Sequence, residues 1–344
     1  MAKRPVRWGL LSTARINDRL IPCLNQSERN ELMGVASRSQ TSATNYAAEY
    51  GIPRAYSSYK EMLADPAIDV VYVSLPNGLH TEWSIRCAEA GKHVLCEKPL
   101  ALSVEEVERI AEAARRYGVT IQEATMMRFH PQTSYVRDLI AEGAIGELRM
   151  GRGLFTFTLE RPGDIRLDPA MGGGSVWDLG SYCVSFARTV LQAEPVEVYG
   201  VQTTGPTGID MSFSGHLTFP KGVVFHFFSS FASFTAVDAD LLGTTGYLQL
   251  DVPWVNRVNE SANVHLVREA GNRGASTFGD GPSKCRTEKK VFAKMNAYQD
   301  EVESMAATVM DGAEPVVTLE DSRANVAAVT ALYRSDREGG PVVL

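Results

Sequence analysis

Between residues 6 and 123, short apolar runs alternate with helix-length amphipathic stretches, and few folds accept that alternation. The apolar runs cover 6–12, 32–37, 70–74, 94–96 and 119–123. Uninterrupted runs of this length, bounded by Gly and Pro, read as parallel strands covered on both faces. Helical patterns fill the gaps at 14–24, 41–50, 59–64 and 81–90, with Gly51 and Gly91 as stops. Ser103-x-x-Glu106 is a capping-box pattern that opens a further helix running to Tyr117. Strand–helix alternation means a parallel sheet with right-handed crossovers, the doubly wound α/β arrangement.

The pattern changes after Ala124. A helix is expected over 131–142, long alternation over 148–159, and strands over 196–201, 216–219 and 223–228. Such alternation marks an antiparallel sheet with one face on a core. Helices are expected over 175–191, 297–310 and 319–337, and a Gly/Ser/Asp/Asn-rich loop over 268–284. The predicted fold is an α/β Rossmann domain at 1–125, then an α+β domain at 126–344 with a large, mostly antiparallel open sheet. Phe225, Phe227 and Phe231 fall on one side of a strand. They are expected either to meet a second copy, in a homodimer or homotetramer, or to pack under the domain's own helices.

With 344 residues, the chain has ample volume for two cores. A formal charge of −7 argues against general binding to nucleic acid or anionic membrane. Neither a signal peptide nor a membrane-length apolar run is legible. Five scattered cysteines without CxxC spacing read as thiols of a reducing, cytoplasmic compartment. The six histidines form no metal-ligand spacing, so no metal is expected.

The chemistry is expected at the carboxyl ends of the parallel strands, beside which ligands sit in such sheets. After the first strand, Gly9 and Ala14 fit the first and third positions of GxGxxG/A, while Ser12 lies one residue past the second. The loop and helix start at Ser12, Thr13, Ala14, Arg15 and Ile16 would present N–H groups to a pyrophosphate. At the end of the second strand, Ser37-Arg38-Ser39 replaces the acid that an NAD site would want. A guanidinium and two hydroxyls suit a 2′-phosphate, so NADP(H) is expected over NAD(H). Leu75, Pro76, Asn77 and His80 follow the next strand and are further cofactor candidates. His80 taken alone reads better as structural. Glu97, Lys98 and Pro99 end the run at 94–96, and the proline restricts the lysine backbone so that the amine is aimed.

A second constellation lies at 168–182, where Gly172-Gly173-Gly174 precedes a helix carrying Asp178 and Tyr182 at i and i+4. A tyrosine can exchange a proton with a sugar or carbonyl oxygen. A lysine cation would stabilise its phenolate. Lys98 and Tyr182 thus form a candidate acid/base pair across a domain crevice, although spacing alone favours Tyr182 as a packing residue.

Together these motifs resemble the glucose–fructose oxidoreductase/inositol dehydrogenase/rhizopine-catabolism family of NAD(P)-dependent oxidoreductases. The resemblance runs from Trp8-Gly9 through Cys96-Glu97-Lys98-Pro99 and Met126-Met127-Arg128-Phe129-His130-Pro131 to Leu332-Tyr333-Arg334-Ser335. Asp178-x-Gly180-x-Tyr182 is similar to the branch holding dimeric dihydrodiol dehydrogenase and NADP-dependent xylose dehydrogenase. The resemblance implies Lys98 and Tyr182 as the catalytic pair, a cis Lys98–Pro99 bond, and Arg128, His130, Arg166, Asp168 and Asp178 near the substrate. It implies an aldose dehydrogenase acting on a sugar or polyol. A keto-sugar or dicarbonyl reductase, a trans-dihydrodiol dehydrogenase, or an enzyme with tightly held cofactor like glucose–fructose oxidoreductase are the alternatives. A cofactor-binding regulator without turnover is disfavoured by the intact Lys98, Asp178 and Tyr182.

Overall fold

The structure is a computed structural model that describes residues 4–254, 261–269, 285–293 and 295–344. Residues 270–284 of the expected loop lie outside them. The first part of the chain gives β1 (Val6–Leu11), α1 (Asn17–Gln26), β2 (Asn30–Ala36), α2 (Gln40–Tyr50), β3 (Arg54–Tyr56) and α3 (Tyr59–Ala64). It continues with β4 (Val70–Val73), α4 (His80–Glu89), β5 (His93–Glu97), α5 (Val104–Tyr117) and β6 (Ile121–Ala124). The six strands form one sheet in the order β3-β2-β1-β4-β5-β6, and every pairing is parallel. Strand order reverses between β1 and β4, which makes the carboxyl ends of these two strands the place where an α/β sheet accepts a ligand.

Local signals set the boundaries. Ser103 caps α5 by accepting from the Glu106 N–H at 3.2 Å, and the Glu106 carboxylate returns to the Leu102 N–H at 2.9 Å. Ser39 and Ser58 cap α2 and α3 by accepting from the Ser42 and Glu61 N–H groups. Val70, Val71, Tyr72 and Val73 are all fully buried, as a strand covered on both faces requires.

The chain then forms α6 (Pro131–Ala141), β7 (Leu148–Thr158), a π-helical turn over Val176–Gly180, α7 (Ser181–Leu191), β8 (Glu197–Thr204), β9 (Asp210–Thr218), β10 (Val224–Ser230) and β11 (Ala232–Gly243). After these come β12 (Gly246–Leu250), β13 (Ala262–Glu269), β14 (Cys285–Phe292), α8 (Ala297–Asp311), α9 (Leu319–Glu338) and β15 (Val342–Val343). The second sheet has nine strands in the order β14-β13-β12-β11-β7-β10-β9-β8-β15, and only the β7–β10 pairing is parallel.

Two compact units result, and they interleave along the sequence. One holds residues 1–129, 170–173 and 297–327; the other holds 130–169, 174–296 and 328–344. Within the first, α8 packs on α1 and on the sheet, with Arg29 paired to Asp311.

The phenylalanines expected to mark a partner-facing patch do not do so. Phe225, Phe227 and Phe231 are 0%, 3% and 1% exposed inside their own unit. Phe225 meets Phe186 of α7, Phe227 stacks on Phe213 with ring planes 7° apart, and Phe231 meets Phe157. Gly215 makes room for this layer, because a Cβ there would lie 2.0 Å from the Phe227 ring. Burying each ring contributes about 1.5–3 kcal/mol to the unit's own stability. Among the described residues, no helix is long and apolar enough to cross a membrane.

Candidate active site

In the first unit, β1 leads into Ser12, which holds φ at 140°. Its Oγ donates to the Ser74 carbonyl at 2.8 Å, stands 2.9 Å from Ser74 Oγ, and accepts from the Ala14 N–H at 3.1 Å. The Asn17 amide donates back to the Ser12 carbonyl at 2.9 Å. The loop is longer than expected, since Ala14, Arg15 and Ile16 form turns and α1 begins at Asn17 rather than at Ala14. The Ser12 side chain takes up backbone groups that a tighter glycine turn would give to the helix. Thr13 to Ile16 still lead into a helix N-terminus at the switch point, where anions are favoured.

At the end of β2, Ser37 Oγ accepts from the Ser39 N–H and Ser39 caps α2. Arg38 between them is exposed and, among the described residues, pairs with no carboxylate. Its charge acts on Tyr59, opposing the upward push that burial gives that phenol. An exposed guanidinium beside two hydroxyls and a helix start is a donor set that fits an anionic dinucleotide.

The loop after β4 is turned inward. Leu75 is buried and Pro76 opens a 3₁₀ turn over Asn77–Leu79. The Asn77 amide donates to the Gly172 carbonyl at 2.9 Å. His80 is fully buried, with Nδ1 2.7 Å from the Pro99 carbonyl and Nε2 2.7 Å from that of Leu75. A neutral ring donates to only one of them. Burial, helped by the Lys98 charge, holds its pKa down, and the ring ties the β4 loop to the peptide after Lys98.

Lys98 follows β5 and its bond to Pro99 is cis. The preceding Glu97 accepts from the hydroxyl of Tyr72, whose pKa burial pushes far up, so the phenol keeps its proton. Glu301 of α8 is fully buried, and burial together with the Glu97 charge drives its carboxyl well above the usual range. On β6, Glu123 accepts from the Leu100 N–H at 3.3 Å. Arg128 is held by Asp321 of α9 at 2.5 Å.

In the second unit, Arg166 donates from Nε to Asp178 at 2.7 Å and from Nη1 to Asp164 at 3.2 Å. The Asp178 charge is the main reason the guanidinium pKa rises. Asp168 is exposed. His130 is 2% exposed and serves its own helix, its Nδ1 accepting from the Gln132 N–H at 3.1 Å to cap α6. Burial lowers its pKa to about 4. Tyr182 sits in the first turn of α7, 6% exposed, with its ring edge-on to Phe155 at 5.6 Å.

The helix expected over 175–191 is not regular. Its first turn, Val176–Gly180, is π-helical, so Asp178 and Tyr182 are not on one continuous α-helical face. The start of the turn is held at Ser175 and Val176. Asp210 at the start of β9 accepts from Ser175 Oγ at 2.7 Å, from the Val176 N–H at 2.8 Å, and from the Tyr333 hydroxyl at 2.6 Å. Asp210 and Asp321 escaped sequence reasoning because no spacing marks either of them. Tyr333 stands in a motif that the family resemblance flags without assigning it a role.

Comparison with known proteins agrees with these halves. Residues 6–125 match the oxidoreductase family with NAD-binding Rossmann fold, and residues 133–249 match the GFO/IDH/MocA C-terminal domain. The chain is 38% identical to an uncharacterized oxidoreductase of Rhizobium meliloti, over 97% of this chain and 98% of that one. It is 37% identical to a D-xylose 1-dehydrogenase (NADP(+)) of Haloferax volcanii, over 98% and 99%. Among solved structures, a 3-ketoreductase from Actinomadura kijaniata in complex with NADP and TDP-benzene superposes with a TM-score of 0.87, at 28% identity over 96% of this chain and 98% of that one. With a parallel 3-2-1-4-5-6 sheet, a mostly antiparallel nine-stranded sheet, and relatives that match nearly end to end, the chain belongs to the GFO/IDH/MocA family of oxidoreductases.

Proposed function

We propose that this oxidoreductase uses NADP(H) to move a hydride between the nicotinamide and a carbon of a sugar or polyol, as an aldose dehydrogenase does. The observation that carries the reading is Arg38, exposed and, among the described residues, without a carboxylate partner where an NAD site would place an acid, in a chain whose relative over 98% of its length is named for D-xylose and NADP(+). Ser37, Arg38 and Ser39 would hold the 2′-phosphate, and Ser12 to Ile16 the pyrophosphate.

When bound, the nicotinamide supplies the hydride chemistry. The protein supplies orientation and the proton path. Tyr182 takes the proton of the substrate hydroxyl at its phenolic oxygen in oxidation and returns it in reduction. Lys98 lowers the cost of the phenolate by its charge. Arg166 and Asp178 form a pre-set pair that offers one donor and one acceptor face to sugar hydroxyls. Asp168, Arg128 and His130 stand as further substrate-side candidates, and Leu75, Pro76, Asn77, His80 and Glu97 as groups that shape the cofactor's surroundings.

The test is a panel of aldoses, polyols, keto-sugars and dicarbonyls, run with NADP⁺ or NADPH and with NAD⁺ or NADH side by side, following nicotinamide absorbance. The reading expects turnover of an aldose or polyol with NADP⁺ preferred. Turnover confined to carbonyl reduction would replace it with the reductase alternative, and no turnover at all would sink it.

A further inference from the structure

Asp210 is a buried carboxylate for which the proposed chemistry has no use. It is 2% exposed. Burial pushes its pKa up while the hydroxyls of Tyr333 and Ser175 and the Val176 N–H pull it down. Burying a carboxylate is costly unless its lone pairs are satisfied, and here three donors converge on it. Oδ1 faces Tyr333 and Oδ2 faces Ser175 and Val176, so one carboxylate ties α9 and β9 to the start of the π turn. Ser175 Oγ also stands 3.0 Å from Ser229 Oγ of β10.

The backbone has been cleared for this contact. Gly174 holds φ at +129°, and a Cβ there would lie 2.2 Å from Asp210 Oδ1 and 2.8 Å from the Tyr333 hydroxyl. At the other end of the turn, Gly180 lets the backbone approach the Phe227 ring, where a Cβ would come to 2.9 Å. The π turn is thus clamped at both ends. Such turns are rare and gather at functional sites. One extra residue in a helical turn rotates everything beyond it by about 100° relative to a regular α-helix. The turn carries Asp178, and Tyr182 follows two residues after it.

We propose that Asp210, fastened by Tyr333, is a positioning residue for the reaction: it fixes the start of the π turn and so sets the rotational phase in which Asp178 and Tyr182 are presented. The inference rests on the reading of Tyr182 as the proton-transfer group. Neither Asp210 nor Tyr333 needs to touch substrate for it to hold. A displacement of about 1 Å at a reacting group costs on the order of 100-fold in rate, so a loosened clamp has a large readout.

The experiment compares Asp210→Asn, Tyr333→Phe, Tyr182→Phe and the double variant Tyr182→Phe/Tyr333→Phe, using the sugar with the highest turnover in the panel above. It reads kcat, KM, the NADPH dissociation constant by fluorescence, and folding by circular dichroism. The expected result is a fall in kcat of about 10–100-fold for Asp210→Asn and Tyr333→Phe, with NADPH affinity within about twofold of the parent. The double variant should be no slower than Tyr182→Phe alone, because residues acting through one another are not additive. Tyr333→Phe leaves the Ser175 and Val176 bonds in place, so it carries the test if Asp210→Asn does not fold. Parental kcat in folded Tyr333→Phe, or a double variant slower than Tyr182→Phe by the full Tyr333→Phe factor, overturns the positioning role and leaves the catalytic reading standing. Parental kcat in Tyr182→Phe overturns the catalytic reading first.

Discussion

Ser12 Oγ reaches from the end of β1 to the Ser74 carbonyl at the end of β4, 2.8 Å away, across the point where the parallel sheet reverses its strand order. The residue sits at φ 140°, a region that favours glycine, and its side chain compensates with bonds to Ser74 and to the Ala14 N–H. Ser12→Ala keeps the backbone strain and loses the bonds, so it should lower stability by about 1–3 kcal/mol. Ser12→Gly loses the same bonds but relieves the strain, and should cost about 1 kcal/mol less than alanine. Urea midpoints for both variants check the order. A glycine variant less stable than the alanine variant would refute it.

Arg38 sets the choice of nucleotide in the proposed function. Its guanidinium is exposed and held by no carboxylate among the described residues, so its removal should leave the fold intact. Arg38→Ala should raise KM for NADP⁺ by about 10–100-fold, the worth of one or two charge-assisted bonds, and leave KM for NAD⁺ within about twofold. Initial rates with both nucleotides measure this directly. An equal rise for both would place Arg38 outside the 2′-phosphate site.

Tyr182 has a buried ring, 5.6 Å from that of Phe155, and a hydroxyl that the proposed chemistry needs. Tyr182→Phe keeps the ring packing and should lower kcat by about 10²–10⁴-fold with little change in melting temperature. A large loss of stability with parental turnover would show a packing role instead.

Much of the first unit was legible because β4 is an apolar run, β5 has one at its centre, and α2, α3 and α5 carry their own serine caps. Ser103 with Glu106 is the plainest case, read from spacing and present as two backbone-to-side-chain bonds. The start of α1 was misread because the Ser12 side chain occupies loop groups that a glycine pattern leaves to the helix. The Phe225, Phe227 and Phe231 stripe was seen, but alternation says only that one face is apolar. It does not say whether Phe186 or a second subunit covers it. The π turn could not be read at all, since the partners that hold its two ends, Asp210 and the Phe227 ring, are remote in sequence. Arg128 and Asp321 likewise meet only through the fold.

His130 should govern part of the acid sensitivity. Its ring is buried, neutral, and accepts from the Gln132 N–H at the start of α6. Burial lowers its pKa from 6.5 in the unfolded chain to about 4 in the fold. Between those values the unfolded chain binds a proton that the folded one refuses, so stability is full above about pH 6.5 and falls as the pH drops through 4. The loss amounts to ~3 kcal/mol at most. His130→Asn retains an N-cap acceptor and cannot titrate. It should be somewhat less stable at neutral pH, through lost packing on Phe292, yet show a flatter decline on acidification. Urea midpoints measured from neutral pH down to about pH 4 decide the matter. Parallel acid slopes in parent and variant would show that His130 is not the group responsible.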